Sequence, residues 1–170
     1  MSGRKEAKEI RELRTRLVLE RAINRRLDKL LRAAGRQVCL LQGDKTMREN
    51  QIRNVLDVAM SNPGIDVVTN FIRYQMGRSG GNQAWLYNNF GQKVVEDIEK
   101  GVVPGIAAEV ADEVHQEVQE VDRDEVMHEA RLRLVRLYLG YLNRWFYYGS
   151  KTQRWDDIAE ATKEADSNVR

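Results

Sequence analysis

The first 36 residues place apolar side chains at helical spacing. Between Lys5 and Ala34 there is no proline or glycine, and apolar residues recur every three or four positions, as in an amphipathic helix. The heptad is interrupted at Glu20 and Asn24, which disfavours a long coiled coil. The pattern predicts one long helix ended by Gly35, because glycine is common just after a helix. The main stripe is Ile10, Leu13, Leu17, Leu27, Leu31 and Ala34, and a shifted stripe is Leu19, Ile23 and Leu30.

The later segments repeat the helical period, and no segment shows the period-two alternation of a β-strand. We expect an all-α fold: a compact bundle of about five helices, preceded by the long basic N-terminal helix. The bundle helices are predicted at about 47–60, 65–78 and 84–100, then from beyond Pro104 to about 118, and from Asp122 or Asp124 to about 150.

Particular residues set the ends of these helices. Thr46 and Glu49 have the spacing of a capping box, the turn at 62–64 contains proline and glycine, and Gly91 is a weak point. Apolar and aromatic residues surround nearly the whole last helix, which is typical of a central helix or an oligomer contact.

Composition divides the chain into four parts. Residues 1–36 form a basic helix or arm, 37–45 a linker, 46–150 the helical bundle domain and 151–170 a polar, partly frayed tail. The length suits a single domain, and 42% hydrophobic residues are enough for a core.

Charge is distributed unevenly, although 28 basic residues nearly balance 26 acidic ones. Residues 1–36 hold 12 basic and five acidic residues, whereas residues 96–129 hold two basic and 12 acidic residues. A basic segment suits phosphate backbones, and an acidic one suits a basic neighbour or solubility. The Arg-rich N-terminal helix is therefore either a solvated surface or an arm that contacts phosphates or docks on a partner.

Several classes of site are disfavoured by residue types and spacing. The single Cys39 lies in an apolar run, as a buried thiol would, and it leaves no partner for a disulfide. His115 and His128 lack the spacing of a helical zinc pair, and the glycines of 77–81 lack the P-loop pattern. We expect no cofactor, no metal and no enzyme. No apolar run is long enough for a membrane helix, and without a secretory signal we expect a cytoplasmic protein.

The candidate binding residues are cations beside polar and aromatic residues. Arg53 follows Gln51, and Arg73 and Arg78 flank Tyr74 before a Gly-rich loop. Arginines at helix ends reach phosphates while aromatic rings stack on bases, which is typical of sequence-tolerant nucleic-acid binding. The alternative is that Arg73 and Arg78 cap helix carbonyls or pair with the acidic segment 96–129.

Three stretches resemble the small helical subunit of type III CRISPR effector complexes. Thr46–Val55 (TMRENQIRNV) is similar to the family's Thr-x-x-Gln-[Ile/Leu]-Arg opening, with a wider spacing here. Phe71–Arg78 (FIRYQMGR) is similar to its Tyr-Gln-x-Gly-Arg segment, and Tyr138–Gly149 (YLGYLNRWFYYG) resembles its closing helix. The basic helix of residues 3–34 has no place in the family's ordinary pattern.

The resemblance implies a non-catalytic RNA-binding subunit of a ribonucleoprotein for antiviral defence. Several copies would lie side by side with other subunits of the effector complex, and would hold the backbones of guide and target RNA. Carried over, the phosphate contacts would be Arg53, Arg73 and Arg78, with Arg48 and Lys45 as weaker additions. The alternative is a protein-interaction adaptor that docks through its N-terminal Arg/Glu-rich helix and binds no nucleic acid.

Overall fold

A computed structural model describes residues 2–61, 64–78 and 83–163 of the chain. These residues form eight α-helices and two short 3₁₀ turns, with no β-strand among them, which confirms the all-α prediction. The predicted tail residues 164–170, the first two residues of the predicted turn at 62–64 and the loop glycines at 80 and 81 lie outside the described residues. The helices are α1 (Ser2–Asn24), α2 (Leu27–Cys39), α3 (Glu49–Met60), α4 (Ile65–Gly77), α5 (Phe90–Glu99), α6 (Val102–Glu117), α7 (Arg123–Thr152) and α8 (Trp155–Ala161), with 3₁₀ turns at Gln83–Trp85 and Tyr87–Asn89.

The predicted single N-terminal helix is wrong in its continuity, because the chain breaks at Arg25 and Arg26 between α1 and α2. The shifted stripe is buried on both sides of the break, at Leu19 and Ile23 on α1 and at Leu30 on α2, whereas Ile10, Leu13 and Leu17 of the main stripe are exposed. The buried residues are Val18, Leu19, Ala22 and Ile23 on α1, and Leu30, Ala33, Ala34, Gly35 and Val38 on α2.

Gly35 does not end a helix; it lies buried inside α2. A Cβ atom there would overlap the Thr162 side chain and lie 3.1 Å from Trp145 Nε1. The Trp145 indole also donates a hydrogen bond of 3.1 Å to the Leu31 carbonyl. This glycine therefore serves close packing of α2 against α7 and the residue after α8, rather than chain reversal.

The helix boundaries downstream follow the sequence pattern closely, with three local corrections. Arg48, not Thr46, precedes α3, and its amide donates to Gln51 Oε1 at 3.0 Å. Pro104 lies inside the first turn of α6 rather than before it, where its missing N–H costs no helical hydrogen bond. Gly91 lies buried within α5, and the interruption comes earlier, at Asn88 and Asn89, which have positive φ.

Helix α7 is the central element, as its apolar circumference predicted. It packs against α6, α2 and α3, and smaller contacts join it to α1 and α8. Its N-cap is Asp122, one of the two predicted caps, which accepts hydrogen bonds from the amides of Asp124 and Glu125. Beyond α7, Trp155 and Ile158 are buried.

One hydrophobic core runs through the described part of the chain. Buried residues from 18 to 38 and from 155 to 158 belong to the same cluster as those of the predicted bundle 46–150. The N-terminal helices are therefore packed elements of the bundle. Among the described helices, none combines the length and apolar character that crossing a bilayer requires.

Candidate nucleic-acid interface

Three of the candidate cations lie at one end of a helical hairpin. Helices α3 and α4 are connected by four residues and pack against each other, as antiparallel neighbours joined by a short connection do. The start of α3 is therefore beside the end of α4. Lys45 and Arg48 precede α3, and Arg78 directly follows α4, so all three lie at this end.

The C-terminal end of α7 lies against the same place. Lys151 Nζ forms an ion pair of 2.6 Å with Glu49 Oε1 at the start of α3. At the other end of α3, Arg136 Nε donates to the Ala59 carbonyl at 3.1 Å, so α3 and α7 are antiparallel. We call Lys45, Arg48, Arg78 and Lys151 together the basic end.

Two tyrosines accompany the cations of the basic end. The Arg78 guanidinium lies 5.9 Å from the centre of the Tyr74 ring, and Lys151 Nζ lies 5.6 Å from the Tyr147 ring. Both pairs have the same i, i+4 spacing at the end of a helix. The side chains of Tyr74 and Tyr147 are 56% and 52% exposed, so each ring is open to a stacking base.

A short loop holds the basic end in place between α2 and α3. Asp44 accepts hydrogen bonds from the amides of Thr46 and Met47, and Gly43 has a φ of +87°, which favours glycine. Asn88 donates from Nδ2 to the Leu40 carbonyl at 2.9 Å. The backbone on either side of Lys45 is therefore fixed, while the Lys45 side chain points to solvent.

The candidate cations differ in whether an anion already neutralises them. Lys45, Arg48, Arg53 and Arg78 are exposed, and none of them forms an ion pair within the described part of the chain. A phosphate could therefore approach these four side chains without displacing a carboxylate. Arg53 lies on α3 five residues beyond Arg48, which rotates it by about 140° around the helix axis, so it flanks the basic end on another face of the helix.

Arg73 is already engaged by a carboxylate. Its two terminal nitrogens donate to the two oxygens of Glu99 at 2.8 and 2.9 Å. This bidentate hydrogen bonding raises the pKa of Arg73 and lowers the pKa of Glu99. The arrangement is the alternative that the sequence left open, a pair between Arg73 and the acidic segment 96–129.

The cations of the N-terminal segment that face α6 are also neutralised, whereas Lys5, Arg14, Arg16, Arg32 and Arg36 form no ion pair within the described residues. Helices α1 and α6 pack antiparallel, and a ladder of ion pairs follows their contact. Burial of Arg26 lowers the pKa of its guanidinium, but the hydrogen bonds that it donates to Glu113 and Glu109 outweigh this and raise the pKa overall. The basic and acidic sequence segments therefore pair with each other within one molecule. The pairs are Arg11–Glu120, Arg21–Glu117, Arg25–Glu113, Arg26–Glu109, Arg26–Glu113 and Lys29–Glu109.

A buried polar network lies away from the basic end. Asp97 on α5 accepts hydrogen bonds from Tyr138 Oη at 2.7 Å and from Gln37 Nε2 at 2.9 Å. Burial raises the pKa of Asp97, and burial also raises the pKa of Tyr138 well above its ordinary value. Tyr138 is fully buried, whereas Asp97 and Gln37 are half-buried, and the two hydrogen bonds join α5 to α7 and α2.

The described ranges 2–61, 64–78 and 83–163 contain no candidate metal site and one free thiol. No group of three or more His, Cys, Asp or Glu side chains there could hold a metal ion. Cys39 is half-buried on α2, and burial raises the pKa of its thiol, which disfavours the reactive thiolate.

Sequence reasoning missed Lys151 of the basic end and the exposed tyrosine beside it, Tyr147. The aromatic residues of the last helix predict a central helix or an oligomer contact, which fits the buried Tyr138. The available signal was the Tyr-x-x-x-cation spacing, which occurs at 74–78 and again at 147–151. Their convergence at one end depends on the packing of α3 against α7.

Comparison with known proteins gives no relative from which residues could be transferred. The chain matches no protein-family model, no curated protein and no solved structure.

Proposed function

We propose that this protein is a non-catalytic structural subunit that binds the backbone of RNA through its basic end. The observation that carries the proposal is the grouping of three un-neutralised cations, Lys45, Arg48 and Arg78, with two exposed tyrosines at one end of the bundle, where Glu49 already holds Lys151. Elsewhere the described cations of the N-terminal segment that face α6 are held by glutamates. Free positive charge beside stacking rings is the usual chemistry of single-stranded nucleic-acid binding.

The three sequence stretches that resemble type III CRISPR small subunits support the same surface. Thr46–Val55 contains the start of α3, Phe71–Arg78 ends α4, and Tyr138–Gly149 forms the later part of α7. Helix α3 packs against both α4 and α7, so the stretches are neighbours in space. The proposed setting is a type III effector ribonucleoprotein in antiviral defence, in which several copies contact guide and target RNA beside the other subunits.

The proposed contacts read the backbone rather than the base sequence. The basic end offers guanidinium and ammonium groups, which bind phosphates, and tyrosine rings, which stack on any base. In an RNA-guided complex, specificity comes from base pairing. Arg48 and Arg78 are the principal phosphate contacts, Lys45 and Arg53 extend them, and Arg73 contributes least because Glu99 already holds it.

The experiment is fluorescence anisotropy of labelled single-stranded RNA, and of a guide–target duplex, over a range of salt concentrations. The test variant is Arg48→Ala with Arg78→Ala. Each phosphate contact to a single strand contributes about 0.7 to the slope of log affinity against log salt, so the slope should fall by about 1.4. Far-ultraviolet circular dichroism should be unchanged, because both side chains are exposed.

The matched control is Lys5→Ala with Arg14→Ala, which removes the same charge from exposed positions on α1 that form no ion pair in the described structure. Its salt slope should equal that of the unaltered protein. Equal losses in the two double variants would show attraction by net charge alone and contradict a local site. Absence of binding at low salt would contradict the proposal altogether.

A second candidate is the protein-interaction adaptor that docks through the N-terminal helix and binds no nucleic acid. It is favoured by a separate observation: three large apolar side chains of α1 are exposed to solvent, namely Ile10, Leu13 and Leu17. The two candidate functions differ in how binding depends on the salt concentration. Phosphate binding weakens steeply as salt rises, whereas an apolar helix contact does not.

A further inference from the structure

The first half of α1 carries an apolar stripe that the bundle leaves uncovered. Ile10, Leu13 and Leu17 are 64%, 62% and 60% exposed. Their spacing of three and four places them on one helical face. The residues of α1 that enter the core begin only at Val18. The stripe therefore lies on a different face from the one that packs on α6 and α7.

We infer that this stripe binds the same stripe of a second copy of the chain, in an antiparallel helix pair with a two-fold axis at Leu13. Such an axis packs Leu13 against its counterpart and Ile10 against Leu17 of the second copy, so every exposed apolar residue of the stripe is used. The contact is isologous and closes at two copies. It does not rest on the proposed RNA binding.

Charge complementarity favours a second copy as the occupant. Glu9 and Arg16 are seven residues apart, which places them along the same edge of the stripe. Both are exposed, and neither forms an ion pair within the described ranges. Because they lie four residues before and three residues after Leu13, an antiparallel pair brings Glu9 of each copy opposite Arg16 of the other. This edge of the stripe is therefore self-complementary, whereas the same axis brings Glu6 opposite Glu20 of the second copy.

The antiparallel direction also separates the two bundles. In each copy, α1 enters the core of its bundle from Val18 onward. An antiparallel pair of stripes therefore places the two bundles at opposite ends of the helix pair. Three apolar side chains from each copy bury less than the roughly 1,200–2,000 Å² of a standard interface. The dimer is therefore weak, and it forms at high protein concentration.

The test is sedimentation velocity of the nuclease-treated full-length protein between about 5 and 500 μM. The dimer fraction should rise with concentration and persist in high salt. Leu13→Glu should raise the dimer dissociation constant by more than about tenfold, because it buries two unpaired carboxylates. The matched control is Val67→Glu, at an apolar position that is 52% exposed on α4, and it should leave the dimer intact. A monomer at every concentration, or equal effects of the two substitutions, would overturn the inference.

Register and direction have their own test. In a Cys39→Ser background, protein carrying Glu9→Cys mixed with protein carrying Arg16→Cys should form a disulfide-linked heterodimer faster than either variant links to itself. In the same way, Glu9→Arg should weaken the dimer, and Arg16→Glu added to it should restore the dimer. Preferential self-linkage of each cysteine variant would show a parallel pair and overturn the antiparallel interface.

Discussion

Two basic regions of this molecule differ in whether carboxylates neutralise their cations. The cations between Arg11 and Lys29 that face α6 are held by glutamates 80 to 109 residues away in sequence. At the basic end, Lys45, Arg48 and Arg78 have no anionic partner in the described structure. The face of the basic segment that packs on α6 is thus neutralised, because ion pairing depends on which helices pack together. Local charge in a sequence is a poor guide to free charge in a fold.

The largest effect should come from reversing a charge in the ladder between α1 and α6. Glu113 accepts hydrogen bonds from Arg25 and Arg26, and the side chains of Arg26 and Glu113 are only 18% and 16% exposed. Glu113→Lys should lower the free energy of unfolding by about 3 kcal/mol, since it leaves Arg26 facing a like charge in a partly buried site. Chemical denaturation measures this.

The control for Glu113→Lys is Glu6→Lys, the same charge reversal at an exposed position of α1 that forms no ion pair in the described structure. It should change stability by less than about 0.5 kcal/mol. Similar losses in both variants would mean that the ladder adds nothing specific, and that the two basic regions do not differ as described.

Packing at Gly35 tests whether the N-terminal region is part of the bundle. Gly35→Ala places a methyl group against Thr162 and Trp145, so it should cost about 1–3 kcal/mol through overpacking. Gly140→Ala is the matched control, because no atom lies within 4 Å of the added Cβ. It should stabilise α7 by about 0.5–1 kcal/mol, since alanine is the better helix former. A cooperative thermal transition should shift down in the first variant and up in the second.

Releasing Arg73 should convert a neutralised cation into a free one. Glu99→Ala removes its bidentate partner and should raise the salt slope of RNA binding by up to about 0.7. Glu6→Ala changes the net charge equally but far from the basic end, and it should leave the slope unchanged. If the two variants tighten RNA binding equally, pairing with Glu99 does not control Arg73.

The smallest effect concerns the pH dependence of the Asp97 network. Burial raises the folded pKa of Asp97 above 3.8, so the folded state favours the protonated acid. The stability that protonation of Asp97 contributes is fully present below pH 3.8 and is lost as the pH rises through the folded pKa. Asp97→Asn keeps an oxygen to accept from Tyr138 but cannot ionise. The difference in unfolding temperature, unaltered protein minus variant, should therefore decrease as the pH rises from 4 to 7. A constant difference would contradict the raised pKa.

Local sequence signals were enough for most of the helices but not for the break or the site. Asp122 was identified as a possible cap because its side chain acts on amides two and three residues away. The break at Arg25 and Arg26 was missed, since no proline or glycine marks it in the sequence. Gly35 was misinterpreted because the neighbour that restricts it, Thr162, is distant in sequence.

The candidate site also has features that the sequence could predict and features that it could not. Exposed cations at helix ends could be found from the sequence, as Arg48 and Arg78 show. Which of them are free could not, because Glu99 reaches Arg73 only after α4 packs on α5. Lys151 joined the basic end only through its ion pair with Glu49. Helix-local information predicts candidates, and tertiary packing selects among them.

The ladder between α1 and α6 also constrains the order of folding during synthesis. The first helix emerges from the ribosome long before residues 109–120, which hold its glutamate partners. Until then its arginines have no carboxylate to meet and its core residues have no surface to cover. Closing so long a loop is entropically costly, and contacts of such sequence separation slow folding compared with a bundle of sequential neighbours. Although α1 is synthesised before α6, it is thus among the last elements to dock.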